Sequence, residues 1–368
     1  MILHMRILAV PMAASLLIGC AGVSPLPQDL ADRDLPEAST DPEVVAQVAE
    51  WTKKARLALD AQAFEEAEEL AEEAISVDAG AWRARAVLGN ALMRQSQAVQ
   101  PPDLQLQNRG DGETLTAERH APNDPAVGLL RVEFLAGTGH LSAAAAAGES
   151  FLERIRPNED ADYVGLLAAT AGACYELGEE RRALPLLQQL VGYRPDSSEA
   201  QFWLGYCGLQ TAINTSQGDQ AVRAFARCAE LSPEDEEAQL ALLAAYSKCI
   251  ELATEAGDAE KVDGYRSRAL QLCDQLAQRF ANQAEPWFRR GVLLEAPQPE
   301  EAMAAYRKAL DLDAEHLGAL LNLASLLYAD GEGAEAAKDL WRRALAADTE
   351  TGGLTAEERR RILALLDK

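Results

Sequence analysis

The stretch QAVRAFARCAELSPEDEEAQ, residues 220–239, decides the fold of this chain. Small residues recur at Ala221, Ala224 and Cys228, Phe225 stands between them, and Pro233 follows. Residues spaced three or four apart lie on one face of a helix. Small side chains on that face let the backbone of a second helix approach closely, whereas a helix that only needed burial would carry Leu there. The stretch therefore predicts a helix that packs tightly against a neighbour and ends near Pro233.

The same spacing of small and aromatic residues recurs along the chain. It is found in EEAEELAEEAISVDA, RRALPLLQQLVGYRP, EEAMAAYRKALDLDA and EAAKDLWRRALAADT, which begin at residues 65, 181, 300 and 335. A partner segment with Gly or Ala in its middle precedes each copy, such as RAVLGNAL or FWLGYCGL. Copies at a fixed period indicate a repeat architecture rather than one globular core.

This pattern resembles the tetratricopeptide repeat, a pair of antiparallel helices with a period of about 34 residues. The resemblance covers roughly residues 48–351 and implies an all-α, right-handed superhelical solenoid of antiparallel helix pairs. We expect about eight repeats within 42–351, interrupted by a loop insertion at 95–120 that leaves only a short second helix near its end. Thr355 and Glu358 are spaced as a capping box, which predicts a C-terminal capping helix in 352–368.

Composition agrees with a helical repeat protein. Hydrophobic residues make up 48% of the chain but aromatic residues only 5%, and strands favour aromatic and β-branched residues. The formal net charge of −25 repels nucleic acid and anionic lipid head groups. We therefore predict no nucleic-acid partner and expect any protein or peptide partner to carry basic residues.

The amino terminus, MILHMRILAVPMAASLLIGCAG, has the pattern of a secretory signal. Residues 17–20 resemble a bacterial lipobox, which implies a signal peptide at 1–19 and lipidation of Cys20. Several acyl chains anchor a protein durably. Ala21 follows the cysteine and implies the outer membrane, facing the periplasm. Residues 20–41 are predicted to form a disordered tether. An ordinary signal peptide with an incidental cysteine is the alternative.

Residues that could carry chemistry are few. The sequence has no phosphate loop, no dinucleotide-binding turn, no HExxH and no paired CxxC. We therefore predict no catalytic residues, no metal site and no cofactor. The cysteines after Cys20 stand at small-residue positions of predicted helices, which favours buried thiols; they are Cys174, Cys207, Cys228, Cys249 and Cys273.

The family's groove-facing positions suggest where a partner binds. In the second repeat they fall on Arg83, Ala86, Asn90 and Met93, and Ala86 stands where relatives that grip a terminal carboxylate have Lys. In later repeats they include aromatic residues that could anchor a partner: Tyr175, Phe202, Tyr206, Phe288 and Tyr328. Packing between repeats is the competing interpretation of these rings.

Two functions follow as hypotheses. The first is a non-enzymatic, lipid-anchored scaffold that binds protein or peptide partners in cell-envelope assembly, secretion or pilus biogenesis, where similar lipoproteins act. The alternative is a regulator of cell-wall metabolism, or an enzyme in it, working through the 95–120 loop. That alternative lacks a convergent acid, base or nucleophile in the sequence.

Overall fold

The computed structural model describes residues 37–330, 333–351 and 353–366, and all regular structure in these ranges is α-helical. The predicted all-α fold is confirmed. The signal peptide, Cys20 and most of the tether lie outside the described residues. The described chain divides between Cys207 and Gly208 into two compact units, unit 1 before this point and unit 2 after it, with helix α9, Ser198–Thr211, running through the division.

Unit 1 is built from helical hairpins. Each odd-numbered helix packs against the even-numbered helix that follows it, and α1, α3, α5 and α7 also pack against one another in sequence. This second set of contacts places the first helices of successive hairpins side by side. The helices are α1 Pro42–Asp60, α2 Phe64–Val77, α3 Trp82–Gln97, α4 Leu104–His120, α5 Pro125–Gly137, α6 Leu141–Arg154, α7 Ala161–Glu176 and α8 Glu180–Tyr193.

Unit 2 repeats the hairpin arrangement. Helix α11 packs on α12, α13 on α14 and α15 on α16, and α17 packs on α16. The helices are α10 Thr215–Leu231, α11 Glu236–Glu255, α12 Ala259–Arg279, α13 Glu285–Leu294, α14 Pro299–Leu312, α15 Leu317–Asp330, α16 Ala334–Thr351 and α17 Ala356–Leu366.

Small residues lie where the helices cross, as the opening stretch predicts. Ala221, Ala224 and Cys228 of α10 are buried. Gly208 of α9 lies so close to Ala221 that a Cβ built on it would contact the Ala221 Cβ at 3.5 Å. Helix α10 ends at Leu231, two residues before Pro233. Close helix crossing is therefore the reason for the alanines.

The predicted loop insertion at 95–120 is wrong. Helix α3 continues to Gln97, and α4 begins at Leu104, where the Asp103 side chain accepts hydrogen bonds from the amides of Gln105 and Leu106. Only residues 98–103 connect the two helices. Gly110, which suggests a loop in the sequence, instead lies on the buried face of α4 and lets it approach α3. The second hairpin is therefore complete.

The capping box before α17 is confirmed. The Glu358 amide donates to Thr355 Oγ1 at 3.2 Å, and the Thr355 amide donates to Glu358 Oε2 at 2.7 Å. Ile362 of α17 is buried in a cluster with Ala337 and Trp341 of α16. The side chain of Asp348, buried in α16, accepts from the Leu354 amide and pairs with Arg359. These contacts fix α17 against the last hairpin.

Candidate functional site

A groove of about 880 Å³ runs along the first helices of unit 1. Each of α1, α3, α5 and α7 contributes residues spaced three or four apart, which is one helix face. We call this surface the unit 1 groove. Its lining includes Arg56 and Asp60 of α1, Arg94 and Gln97 of α3, Glu133 and Ala136 of α5, and Ala169, Gly172, Ala173 and Glu176 of α7.

One wall of the unit 1 groove is made of small residues. Ala169, Gly172 and Ala173 of α7 lie there, close to Ala136 and Gly137 of α5. A Cβ built on Gly172 would have nothing within 4 Å, so the space beside this glycine is open. The wall therefore lets the backbone of a bound segment come close to α7.

A second cavity, of about 640 Å³, lies toward the amino-terminal ends of the same helices. It is more apolar, with Val45 and Leu57 of α1 exposed at 48% and 59% of their surfaces. Its charged lining residues include Lys53, Arg83, Asp124 and Asp162, and Arg56 lines both cavities. The side chain of Arg56 therefore borders both the unit 1 groove and this second cavity.

The charges in these cavities form a mixed cluster. Arg56 Nε lies 3.0 Å from Asp60 Oδ1, and its Nη2 lies 3.8 Å from Glu133 Oε1. Arg83 Nε pairs with Asp124 Oδ2 at 2.7 Å. Burial raises the pKa of Glu133 above its ordinary value, against the opposing effect of Arg56. Burial and the neighbouring Asp160 likewise raise the pKa of Asp162.

The aromatic residues predicted as anchors are found in both units. In unit 1, Tyr175, Phe202 and Tyr206 pack around Trp203, with ring centroids 4.3, 5.2 and 6.4 Å from it. All of these rings are partly buried. Burial raises the pKa of Tyr175 to about 12, and a hydrogen bond with Tyr206 adds to the effect. Three predicted residues thus share one cluster, in which each ring packs on Trp203 and Tyr175 also packs on Tyr206.

The two predicted residues of unit 2 lie in separate clusters. Phe288 packs between Tyr306 and His316, with ring centroids 5.9 and 4.7 Å away. Tyr328 packs on Trp341 at 5.2 Å and keeps 37% of its surface exposed. Both rings therefore contribute to packing between helices, and Tyr328 also presents a face to solvent.

Of the four groove positions that the family pattern gives in the second repeat, two line the cavities and two are buried. Arg83 and Asn90 line the cavities, whereas Ala86 and Met93 are fully buried. The Asn90 amide donates to the carbonyls of Ala86 and Leu130 at 3.1 and 2.8 Å, so it joins α3 to α5. The prediction that Ala86 and Met93 face the groove is wrong because both side chains are buried, Met93 against Gly137 of α5.

Sequence reasoning missed the charged residues at the centre of the unit 1 groove. Arg56 and Glu133 were not predicted, because α1 and α5 lack the Leu-Gly pair that sets the register in α3 and α9. The run of small residues AATAGA at 168–173 could have indicated this wall of the groove, since one helix crossing needs fewer small residues.

The five cysteines of the helices are all buried, as predicted. Burial raises the pKa of Cys174 to about 11 and those of Cys207, Cys249 and Cys273 to about 12. Within the described ranges, no group of His, Cys, Asp and Glu has the arrangement of a metal site. None of the described helices combines the length and apolar character needed to cross a membrane.

Comparison with known proteins gives the same architecture. The tetratricopeptide repeat family model matches residues 52–99, 173–214 and 292–350. Each match contains a complete second helix and the first helix that follows it: α2 with α3, α8 with α9, and α14 with α15. No curated protein matches the chain.

Solved structures of similar proteins have low sequence identity to this chain. MamA from Desulfovibrio magneticus RS-1 is 16% identical over 51% of this chain and 96% of its own, with a TM-score of 0.40. TTC0263 of Thermus thermophilus is 20% identical over 56% and 100%, with a TM-score of 0.41. A tetratricopeptide repeat protein from Parabacteroides merdae is 17% identical over 88% and 100%, with a TM-score of 0.39.

The family matches fall on the hairpins of both units, and small residues lie at the helix crossings as the repeat requires. The chain therefore carries tetratricopeptide repeats in both units.

Proposed function

We propose that the chain is a non-enzymatic scaffold that binds a protein or peptide partner in the unit 1 groove while a lipid on Cys20 holds it to the outer membrane, facing the periplasm. The observation that carries the binding part is the groove itself, which α1, α3, α5 and α7 line with side chains of both charge signs and an open wall of small residues. Proteins with such repeats act as interaction scaffolds.

The lipid anchor rests on the sequence alone. Residues 17–20 resemble a lipobox, and residues 21–41 separate Cys20 from the first helix. Their length corresponds to roughly 25 Å of flexible chain. The tether would therefore hold the groove away from the bilayer, where a partner could reach it. Cell-envelope assembly, secretion and pilus biogenesis are the processes that we propose.

The partner is proposed to carry basic residues. The net charge of −25 attracts basic segments over the Debye length and makes their capture sensitive to salt. The ring clusters around Trp203 and Trp341 are candidate secondary contacts, since aromatic side chains bury a large area at low entropic cost. The cell-wall alternative relied on a loop at 95–120, and most of that segment is helical.

A crosslinking experiment in intact cells tests the groove. A photoreactive amino acid replaces Ala169 on the small-residue wall, and the matched control replaces Gln188, which is exposed on the second helix α8. We expect a specific covalent adduct from position 169 and none from position 188. Gly172→Trp should abolish that adduct, because a Cβ at this position meets nothing within 4 Å and the ring would occupy the open space beside α7. Equal capture at both positions would contradict the proposal.

A further inference from the structure

The charges around the unit 1 groove are not balanced. Arg56 is within electrostatic reach of Glu133 and Asp162, and Arg83 is within reach of Asp124, Asp160 and Asp162. Arg94 adds one further positive charge near Glu133. With Asp60 and Glu176 these carboxylates number six, against the three arginines and Lys53. A groove with this excess is complementary to a cation.

Glu133 is a groove carboxylate whose ion pairing is incomplete. Its closest cationic atom is Arg56 Nη2 at 3.8 Å, whereas the Nε of the same arginine is only 3.0 Å from Asp60. An ionised carboxylate has about four lone-pair sites, and this long contact leaves them largely unfilled. The side chain is 35% exposed and faces the groove. Glu133 is therefore partly desolvated and incompletely neutralised.

Arg56 already shows that this place accepts a basic group. Its guanidinium lies between the carboxylates of Asp60 and Glu133 on the groove surface, as the side chain of a bound partner would. Across the groove, Gly172 leaves room for the backbone that would carry such a side chain. The groove volume of about 880 Å³ is in the range of sites that take a small ligand or a few residues.

We propose that the unit 1 groove binds a short peptide segment with a lysine or arginine whose cationic group pairs with Glu133, in competition with Arg56. This inference rests on the proposed function, since it names the chemistry of the partner at the same groove. The small side chains of the segment pack against Ala169 and Gly172. Because Arg56 competes for the same carboxylate, the affinity of the groove for the basic segment is lower than it would be without Arg56.

Peptide binding to the purified full-length chain tests this assignment. The probes are acetylated and amidated hexapeptides of alanine with one Lys, one Gln or one Glu at the third position, and binding is followed through the backbone amide shifts of Ala169 and Gly172. We expect the Lys peptide to bind best. Glu133→Gln should weaken that binding about tenfold, the usual cost of losing a charged hydrogen bond. Glu153→Gln, an exposed change on α6, should leave it unchanged.

Removing the charge of Arg56 should change peptide binding in the opposite direction from Glu133→Gln. Arg56→Gln should strengthen binding of the Lys peptide several-fold, which structural damage to α1 would not do. Stronger binding of the Gln or Glu peptide would overturn the inference while keeping the groove as a binding site. Absence of shifts with all three peptides would also overturn it, and the crosslinking at Ala169 would then decide the proposed function separately.

Discussion

Gly89 and Gly110 face each other where α3 crosses α4. A Cβ on Gly110 would lie 2.6 Å from the Gly89 carbonyl oxygen, and a Cβ on Gly89 would lie 2.6 Å from the Gly110 carbonyl oxygen. The two backbones are therefore in direct contact, with no side chain between them. This contact closes the second hairpin of unit 1.

Gly110→Ala should destabilise the chain. The added methyl group would meet the backbone of α3 and the ring of Phe134, and overpacking of this kind costs about 1–3 kcal/mol. Amide hydrogen exchange should become faster in α3 and α4, because stability in repeat proteins is local. Urea denaturation measures the loss of unfolding free energy.

Gly112 provides a control in the same helix. A Cβ there would have nothing within 4 Å, so Gly112→Ala should raise the unfolding free energy by about 0.5–1 kcal/mol. Two glycines two residues apart are thus expected to respond with opposite signs. Equal effects of the two variants would show that α4 does not pack on α3 in this way.

Glu133→Gln should raise stability at neutral pH. The folded chain holds the pKa of Glu133 above its unfolded value of about 4.5 because burial disfavours the charge. Its ionised form therefore costs stability, and this cost arises as pH rises through the folded pKa. At pH 7 the variant should melt at a higher temperature than the wild type.

The stabilisation by Glu133→Gln should disappear well below pH 4.5, where Glu133 is protonated in both the folded and the unfolded chain. Thermal melts of variant and wild type at the two pH values measure this difference. Glu153→Gln should change the unfolding free energy by less than about 0.5 kcal/mol at either pH. A stabilisation that persists at low pH would have to come from something other than the charge.

Cys20→Ser should leave an unprocessed precursor without lipid. If Cys20 carries the anchor, the variant loses several acyl chains and with them its durable membrane attachment. Phase partitioning in detergent and intact mass of the purified protein measure this change. A variant that still partitions like the wild type would disprove the lipoprotein assignment.

The double variant Tyr206→Ala and Tyr328→Ala tests the aromatic clusters. Tyr206 packs on Tyr175 at 5.4 Å, and Tyr328 packs on Trp341 with part of its ring exposed. We expect loss of partner capture with the helical circular-dichroism signal retained. Each lost ring pair should cost about 0.5–1.5 kcal/mol. Ile213→Ala, a change at a residue that is 75% exposed, is the control, and normal capture by the double variant would place the partner elsewhere.

The buried thiols should resist alkylation. With pKa values raised to about 11 at Cys174 and about 12 at Cys249 and Cys273, almost no thiolate forms at pH 8, and the thiolate is the nucleophile. Iodoacetamide should modify these sites slowly in the native chain and quickly in urea, as peptide mass spectrometry can measure. Rapid modification of the native chain would mean that the helices open more often than their packing implies.

The hairpins could be predicted because close helix crossings need small residues at fixed spacing, and Ala221, Ala224 and Cys228 have that spacing. Helix α4 could not, because its polar sequence and two glycines are typical of loops, and the packing of α4 on α3 and α5 is visible only in the structure. The groove depends on which faces of α1, α5 and α7 are left uncovered. Which faces stay uncovered depends on how each helix is rotated about its axis. The short family pattern does not determine this rotation for α1 and α5, the helices that carry Arg56 and Glu133.

Aspartate side chains accept the first amides of α1, α4, α5, α7, α11 and α12. Such a cap is worth about 1 kcal/mol. A hairpin whose helix starts with such a cap therefore adds a negative charge to the chain. Acidity in this chain grows with the length of the array, so duplication of a repeat would extend the fold and its attraction for cations together.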